Sequence, residues 1–166
     1  MNKEHNYKLA VKWTGNQGTG TSNYKKFERS YHIQIENKAD IAGSSDPEFR
    51  GDRTKHNPEE LLLAAVSSCH MLWYLHFCSE NKIIVTDYID NARAVMEETV
   101  SGNGKFTSIT LCPTISLTEN TMIEKATELH GKANEFCFVA NSLNLKVSHE
   151  PVFKVVANTD VQKKVM

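Results

Sequence analysis

The chain of 166 residues has no internal repeat, no low-complexity stretch, no run of basic residues and no CxxC pair. Lys+Arg number 19 against Asp+Glu 20, a net charge of -1. That balance leaves no electrostatic footprint for nucleic acid or an anionic membrane, so neither is expected as a partner. The N-terminal stretch MNKEHNYKLAVKW lacks an apolar segment of signal-peptide length, from which a cytoplasmic, reducing location is expected. In that setting Cys69, Cys78, Cys112 and Cys137 are thiols by default, and a disulfide among them is transient and catalytic in character.

With 40% hydrophobic residues the composition is that of one ordinary globular domain. A chain of this length buries roughly 70% of its unfolded surface and needs neither a disulfide framework nor a structural metal to fold. We therefore expect a single domain over residues 1–166, with its core at about 7–157. Residues 7–13 and 30–36 alternate as strands around the turn GNQGTGTSN. Gly15, Gly18 and Gly20 bring a phosphate loop to mind, but such a loop opens a helix and this one precedes a strand. Residues 37–56 show no periodicity and read as a long loop carrying Arg50 and Arg53.

A helix is predicted over 58–80. Asn57 can cap its free N–H groups, Pro58 suits the first position, and Glu59 and Glu60 favour the positive end of the dipole. Between Leu61 and Cys78 only two serines and two histidines interrupt the apolar run, so the helix is expected to be buried. Its shortness, its histidines and its charged flanks argue against a membrane span. Two β-rich stretches, 83–99 and 106–118, follow around a turn at SGNGK, then a helix over 121–135 and short strands at 143–148 and 152–157. Hairpins with helices between them define an α+β fold with an antiparallel sheet and two main helices.

Cys69 sits among Ala65, Val66, Leu72 and Trp73. Such a cage by itself makes a thiol inert. Small neighbours (Ala64, Ala65, Ser67, Ser68) permit close approach, the arginine-bearing loop is attached to the same helix, and Cys137 stands at a helix-to-strand boundary. One nucleophilic thiol with a distant second thiol is the pattern of a two-cysteine redox catalyst. Cys69 and Cys78 lie nine residues apart on opposite helix faces and cannot pair. Cys78 and Cys112 read as core residues, and His70 as a hydrogen-bonded residue at the helix surface. His70 and His76, six apart, do not form the i, i+4 pair that chelates zinc, so no metal and no other cofactor is expected. A hydrolase with Cys69 as acyl-transfer nucleophile would need His130 or His149 as base.

The stretch from Asn57-Pro58-Glu59-Glu60-Leu61 through Ala64-Ala65 to Ser67-Ser68-Cys69-His70 resembles the signature of the OsmC/Ohr family, the osmotically inducible and organic-hydroperoxide-resistance proteins. Cys137-Phe138-Val139-Ala140-Asn141-Ser142 resembles the segment that carries that family's resolving cysteine. The resemblance implies an OsmC-like fold in which two chains intertwine as a homodimer with active sites at the interface. It implies a thiol peroxidase that reduces organic hydroperoxides and is restored by an external dithiol reductant. On it, Cys69 is the peroxidatic cysteine, Cys137 the resolving cysteine and Glu59 the carboxylate that positions an arginine, assigned to Arg50 with Arg53 and Arg29 next. Ten helical residues, about 15 Å, separate Glu59 from Cys69, so a shared site needs another chain or an intervening loop. The alternative reading is a dimeric small-ligand-binding protein with an apolar pocket at the same helix.

Overall fold

A computed structural model describes residues 2–156. Contacts divide the chain into two units, Met1–Leu62 and Leu63–Met166, and each is considered by itself.

In the first unit β1 (Ala10–Trp13), β2 (Tyr31–Gln34) and β3 (Ile41–Gly43) form an antiparallel sheet in that order. The expected hairpin is present with shorter strands. Gly15 is required by close approach, because a Cβ there would collide with the carbonyl of Glu28. The stretch expected to be an unstructured loop, 37–56, instead contains β3 and a 3-10 turn at Pro47–Phe49. Asp46 starts that turn by accepting the Glu48 N–H at 2.9 Å. These elements are too short to show a period, which is why sequence pattern missed them.

The first turn of α1 (Pro58–Glu80) is closed by a reciprocal cap. Asn57 Oδ1 accepts the Glu60 N–H at 2.7 Å, and Glu60 Oε2 accepts the Asn57 N–H at 3.2 Å. Two otherwise unpaired backbone groups are satisfied at once.

In the second unit two mixed sheets form. The first has the order β4 (Val85–Asp90), β7 (Pro113–Leu117), β9 (Val152–Val155). The second runs β5 (Arg93–Glu98), β6 (Gly104–Leu111), β8 (Val147–His149). The sheet was expected to be antiparallel; β4·β7 and β5·β6 are, whereas β6·β8 and β7·β9 run parallel. Each β-rich stretch of the sequence thus supplies one strand to each sheet. The break at Cys112 has a clear cause: Pro113 has no N–H to continue a ladder, and the Cys112 N–H is taken by Asp90 Oδ1 at 2.7 Å. The expected extension of the last strand to residue 157 lies outside the described residues.

α2 (Ile123–Phe136) is followed at once by the short α3 (Phe138–Asn141). The main core joins Tyr74, Phe77 and Cys78 of α1 to Ile115 and Leu117 of β7 and to Ala126, Leu129 and Ala133 of α2. A smaller one gathers Val66, Ile109, Leu111 and Val147. Contrary to the expectation of full burial, α1 is covered on one stripe only, and Leu72 remains 64% exposed. Among the described residues of the second unit the other side is covered only in part.

Candidate active site

Cys69 lies on the half-covered side of α1 and is only partly buried, whereas Cys137 is fully buried. Cys137 leaves the helical conformation (φ -71, ψ 102) to end α2 and cap α3, with its sulfur accepting the Ala140 N–H at 3.4 Å. The chain turns there so that the Cys137 thiol lies beside that of Cys69, close enough for Cys69 to act on its ionisation. Burial, followed by the neighbouring Cys69 thiol, pushes the Cys137 thiol up to about 11, against the lowering effect of the Ala140 and Val139 amides. Cys137 is therefore favoured as the neutral thiol, and Cys69 is the more accessible of the two. The neighbouring serines are committed elsewhere. Ser68 Oγ donates to the Ala64 carbonyl at 2.7 Å and Ser67 Oγ to Asp90 Oδ2 at 2.5 Å.

Cys78 is buried, and desolvation pushes it up to about 11. Cys112 is not the core residue expected: it is partly exposed, and Arg93 Nη1 donates to its sulfur at 2.9 Å while Arg93 Nη2 pairs with Glu150 at 2.6 Å.

Arg50, Arg53, Arg29 and Glu59 belong to the first unit. Arg50 is exposed at the end of the 3-10 turn in the left-handed conformation, φ 66. Arg29 is clamped between the rings of Tyr24 and Phe27, and Arg53 is exposed. Glu59 is partly buried and its Oε2 has no hydrogen-bond partner. Its charge adds to burial in raising the Tyr31 hydroxyl above its usual range. Among the described residues no arginine pairs with Glu59.

His70, expected at the helix surface, is buried at 1% exposure, because its stripe of α1 faces α2. Its Nε2 stands 3.0 Å from Nδ1 of His130, and the His149 ring stacks at 4.4 Å between centroids. Burial, and then mutual repulsion, drive His70 and His130 down to about 3; burial lowers His149 as well. All three are neutral at ordinary pH. None hydrogen-bonds to Cys69 among the described residues, so the nucleophile–base pair of a cysteine hydrolase does not form. The cluster joins residues from three separate elements, so local spacing could not show it. Among the described residues no group of three or more His, Cys, Asp or Glu side chains, the stacked histidines included, is arranged to hold a metal ion.

The fold and the site together define a class: an α+β protein in which a core-helix thiol and the thiol at a helix junction meet. The chain belongs to the OsmC-like protein family, whose family model matches residues 51–151. No curated protein matches it. An OsmC-like protein of unknown function from Vibrio cholerae superposes with a TM-score of 0.80 at 24% identity, covering 90% of this chain and 100% of that one. An organic hydroperoxide resistance protein from Elizabethkingia anophelis gives 0.66 at 19% identity, covering 92% and 100%. The organic hydroperoxide resistance protein OhrB of Bacillus subtilis gives 0.59 at 23%, covering 89% and 98%. These likenesses establish the OsmC-like α+β fold of the single chain that the sequence resemblance implied.

Proposed function

We propose that the protein is a cysteine-based thiol peroxidase that reduces organic hydroperoxides. The observation that carries this reading is the juxtaposition of the accessible Cys69 and the buried Cys137. The Cys69 thiolate attacks the distal peroxide oxygen, a sulfur–oxygen bond forms, the O–O bond breaks, and the alkoxide leaves as alcohol after taking a proton. The sulfur is oxidised to a sulfenic acid and the peroxide is reduced. Cys137 then displaces hydroxide from that sulfur, releasing water and closing a Cys69–Cys137 disulfide. An external dithiol reduces it by two exchange steps and becomes a disulfide itself.

Apolar side chains on α1 and beside Cys137 favour an organic peroxide, since an alkyl tail gains burial there. Leu72 and Phe138 are 64% and 67% exposed for that role or for a second chain. In a homodimer acting in the cytoplasm, Arg50 supplies positive charge to the developing anion, and Glu59, whose Oε2 is unpartnered among the described residues, positions it once the site is assembled. The relatives named for organic hydroperoxide resistance support the reading at the level of the family.

The test exposes purified protein to cumene hydroperoxide and maps disulfides by mass spectrometry. A Cys69–Cys137 bridge, absent from the Cys69→Ser variant along with peroxide turnover, supports the peroxidase. Unmodified thiols after excess peroxide overturn it and favour the small-ligand-binding alternative.

A further inference from the structure

The loop between β1 and β2 folds on itself. Asn16 Oδ1 accepts the N–H groups of Gly18 and Gly20, each at 2.9 Å. Its glycine amides are thus turned inward, and a ligand in this region meets side chains. Those side chains border an open cavity of about 480 Å³ within the first unit, a volume within the roughly 300–1,000 Å³ of small-molecule sites.

Lys25, Lys26, Arg29 and Arg50 line the cavity with a single carboxylate, Glu28. That carboxylate is engaged by Gln17 Nε2 at 3.0 Å and Ser30 Oγ at 3.4 Å. None of the four cations forms an ion pair among the described residues. Gathering them in a chain of net charge -1 is unfavourable by mutual repulsion unless an anion is drawn in. Arg29 is fixed in place: its guanidinium lies 4.3 and 4.1 Å from the Tyr24 and Phe27 ring centroids and donates to the carbonyls of Phe27 at 2.6 Å and Tyr24 at 2.9 Å. It forms a rigid positive wall. Arg50 and the two lysines supply donors that no acid pairs among the described residues.

We propose that this cavity binds a small multivalent oxyanion of the phosphate class, a phosphate ester or a diphosphate. A monocarboxylate offsets one positive charge, whereas a diphosphate carries charge and acceptors enough for a guanidinium fork and two ammonium groups together. A cavity of this size, with only the Lys25-Lys26 pair adjacent in sequence, suits a compact ligand and not a nucleic-acid strand. The proposal goes beyond the peroxidase reading, and its measurement uses no peroxide, so the two fail separately.

Isothermal titration of the full chain with pyrophosphate, glycerol phosphate and inorganic phosphate, at ionic strength held constant with chloride, should show saturable binding. The strongest binder tells ester from diphosphate. The Lys25→Ala/Lys26→Ala variant should bind about tenfold more weakly, with its circular dichroism unchanged, and Arg50→Ala should weaken binding as well. Lys38→Ala, on the exposed turn after β2, should bind as the parent does. No saturable heat with any of the three anions, undiminished binding in the cavity variants, or equal loss in Lys38→Ala overturns the proposal.

Discussion

At the scale of the residue, the four cysteines separate by surroundings. Cys78 is desolvated within the core, Cys112 contacts a guanidinium that Glu150 already pairs, and Cys69 and Cys137 contact each other. If Cys137 resolves the sulfenic acid, Cys137→Ser should still consume about one equivalent of hydroperoxide and then stall. Under excess hydroperoxide a slower second equivalent should then carry Cys69 from the sulfenic to the sulfinic state, seen by mass spectrometry; a Cys137→Ser protein that cycles at the parent rate would refute the assignment. Arg50→Ala should slow Cys69 oxidation by about a hundredfold, the usual effect of losing one preorganised charge donor. Stopped-flow oxidation by cumene hydroperoxide measures this, and a larger loss in Arg53→Ala or Arg29→Ala would move the role to that residue. The pair Cys69 and Cys137 was legible through a family resemblance, because the 67 residues of chain between them carry no spacing rule. His70 was misjudged because an imidazole in an otherwise apolar helix looks like its polar face, whereas here it stacks on two more imidazoles.

At the scale of the element, start signals were the most readable. Asn57 caps the first turn of α1 as expected, and Glu60, expected only to favour the dipole, also accepts the Asn57 N–H; Asn57→Ala should cost about 1 kcal/mol in a urea titration. Strand partners were far less readable. The switch between sheets at Cys112 depends on Pro113 and on a side-chain acceptor, Asp90, from a distant strand, and no periodicity records that. The histidines tie α1, α2 and β8 together, and their chemistry sets a pH dependence. His70 and His130 have folded pKa values near 3, below the ordinary 6.5, so the unfolded chain binds more protons between those limits. Stability contributed by keeping them neutral is therefore complete above about pH 6.5 and declines as pH falls toward 3, at up to about 1.4 kcal/mol per pH unit for each histidine. Asp90 opposes the lowering at His149 and Lys146 reinforces it. Urea midpoints measured between about pH 4.5 and 7.5 should fall with acidity, and His130→Gln should flatten the slope. A slope unchanged by that substitution would show that other groups set it.

At the scale of the whole molecule, α1 raises the question of what covers it. A helix apolar nearly all round is stable where its whole circumference is packed, yet within Leu63–Met166 its buried stripe is Val66, His70, Tyr74, Phe77 and Cys78, and Leu72 is left exposed. Two exposed aromatics, Phe136 and Phe138, flank Cys137 on α2 and α3. A second copy of the chain, joined in the closed symmetry most oligomers adopt, would cover such a face. If each site combines Cys69 of one chain with the arginine of the other, two inactive variants should repair each other. Cys69→Ser and Arg50→Ala proteins, unfolded together and refolded at equal concentration, would form half their dimers as hybrids, each with one complete site, so about a quarter of the parent peroxide turnover should return. If each chain completes its own site, every hybrid holds two broken ones and the mixture stays inactive. Sedimentation of the refolded mixture supplies the control: dimers without recovered turnover reject the shared site, and monomers with full parent activity reject the dimer as the working unit.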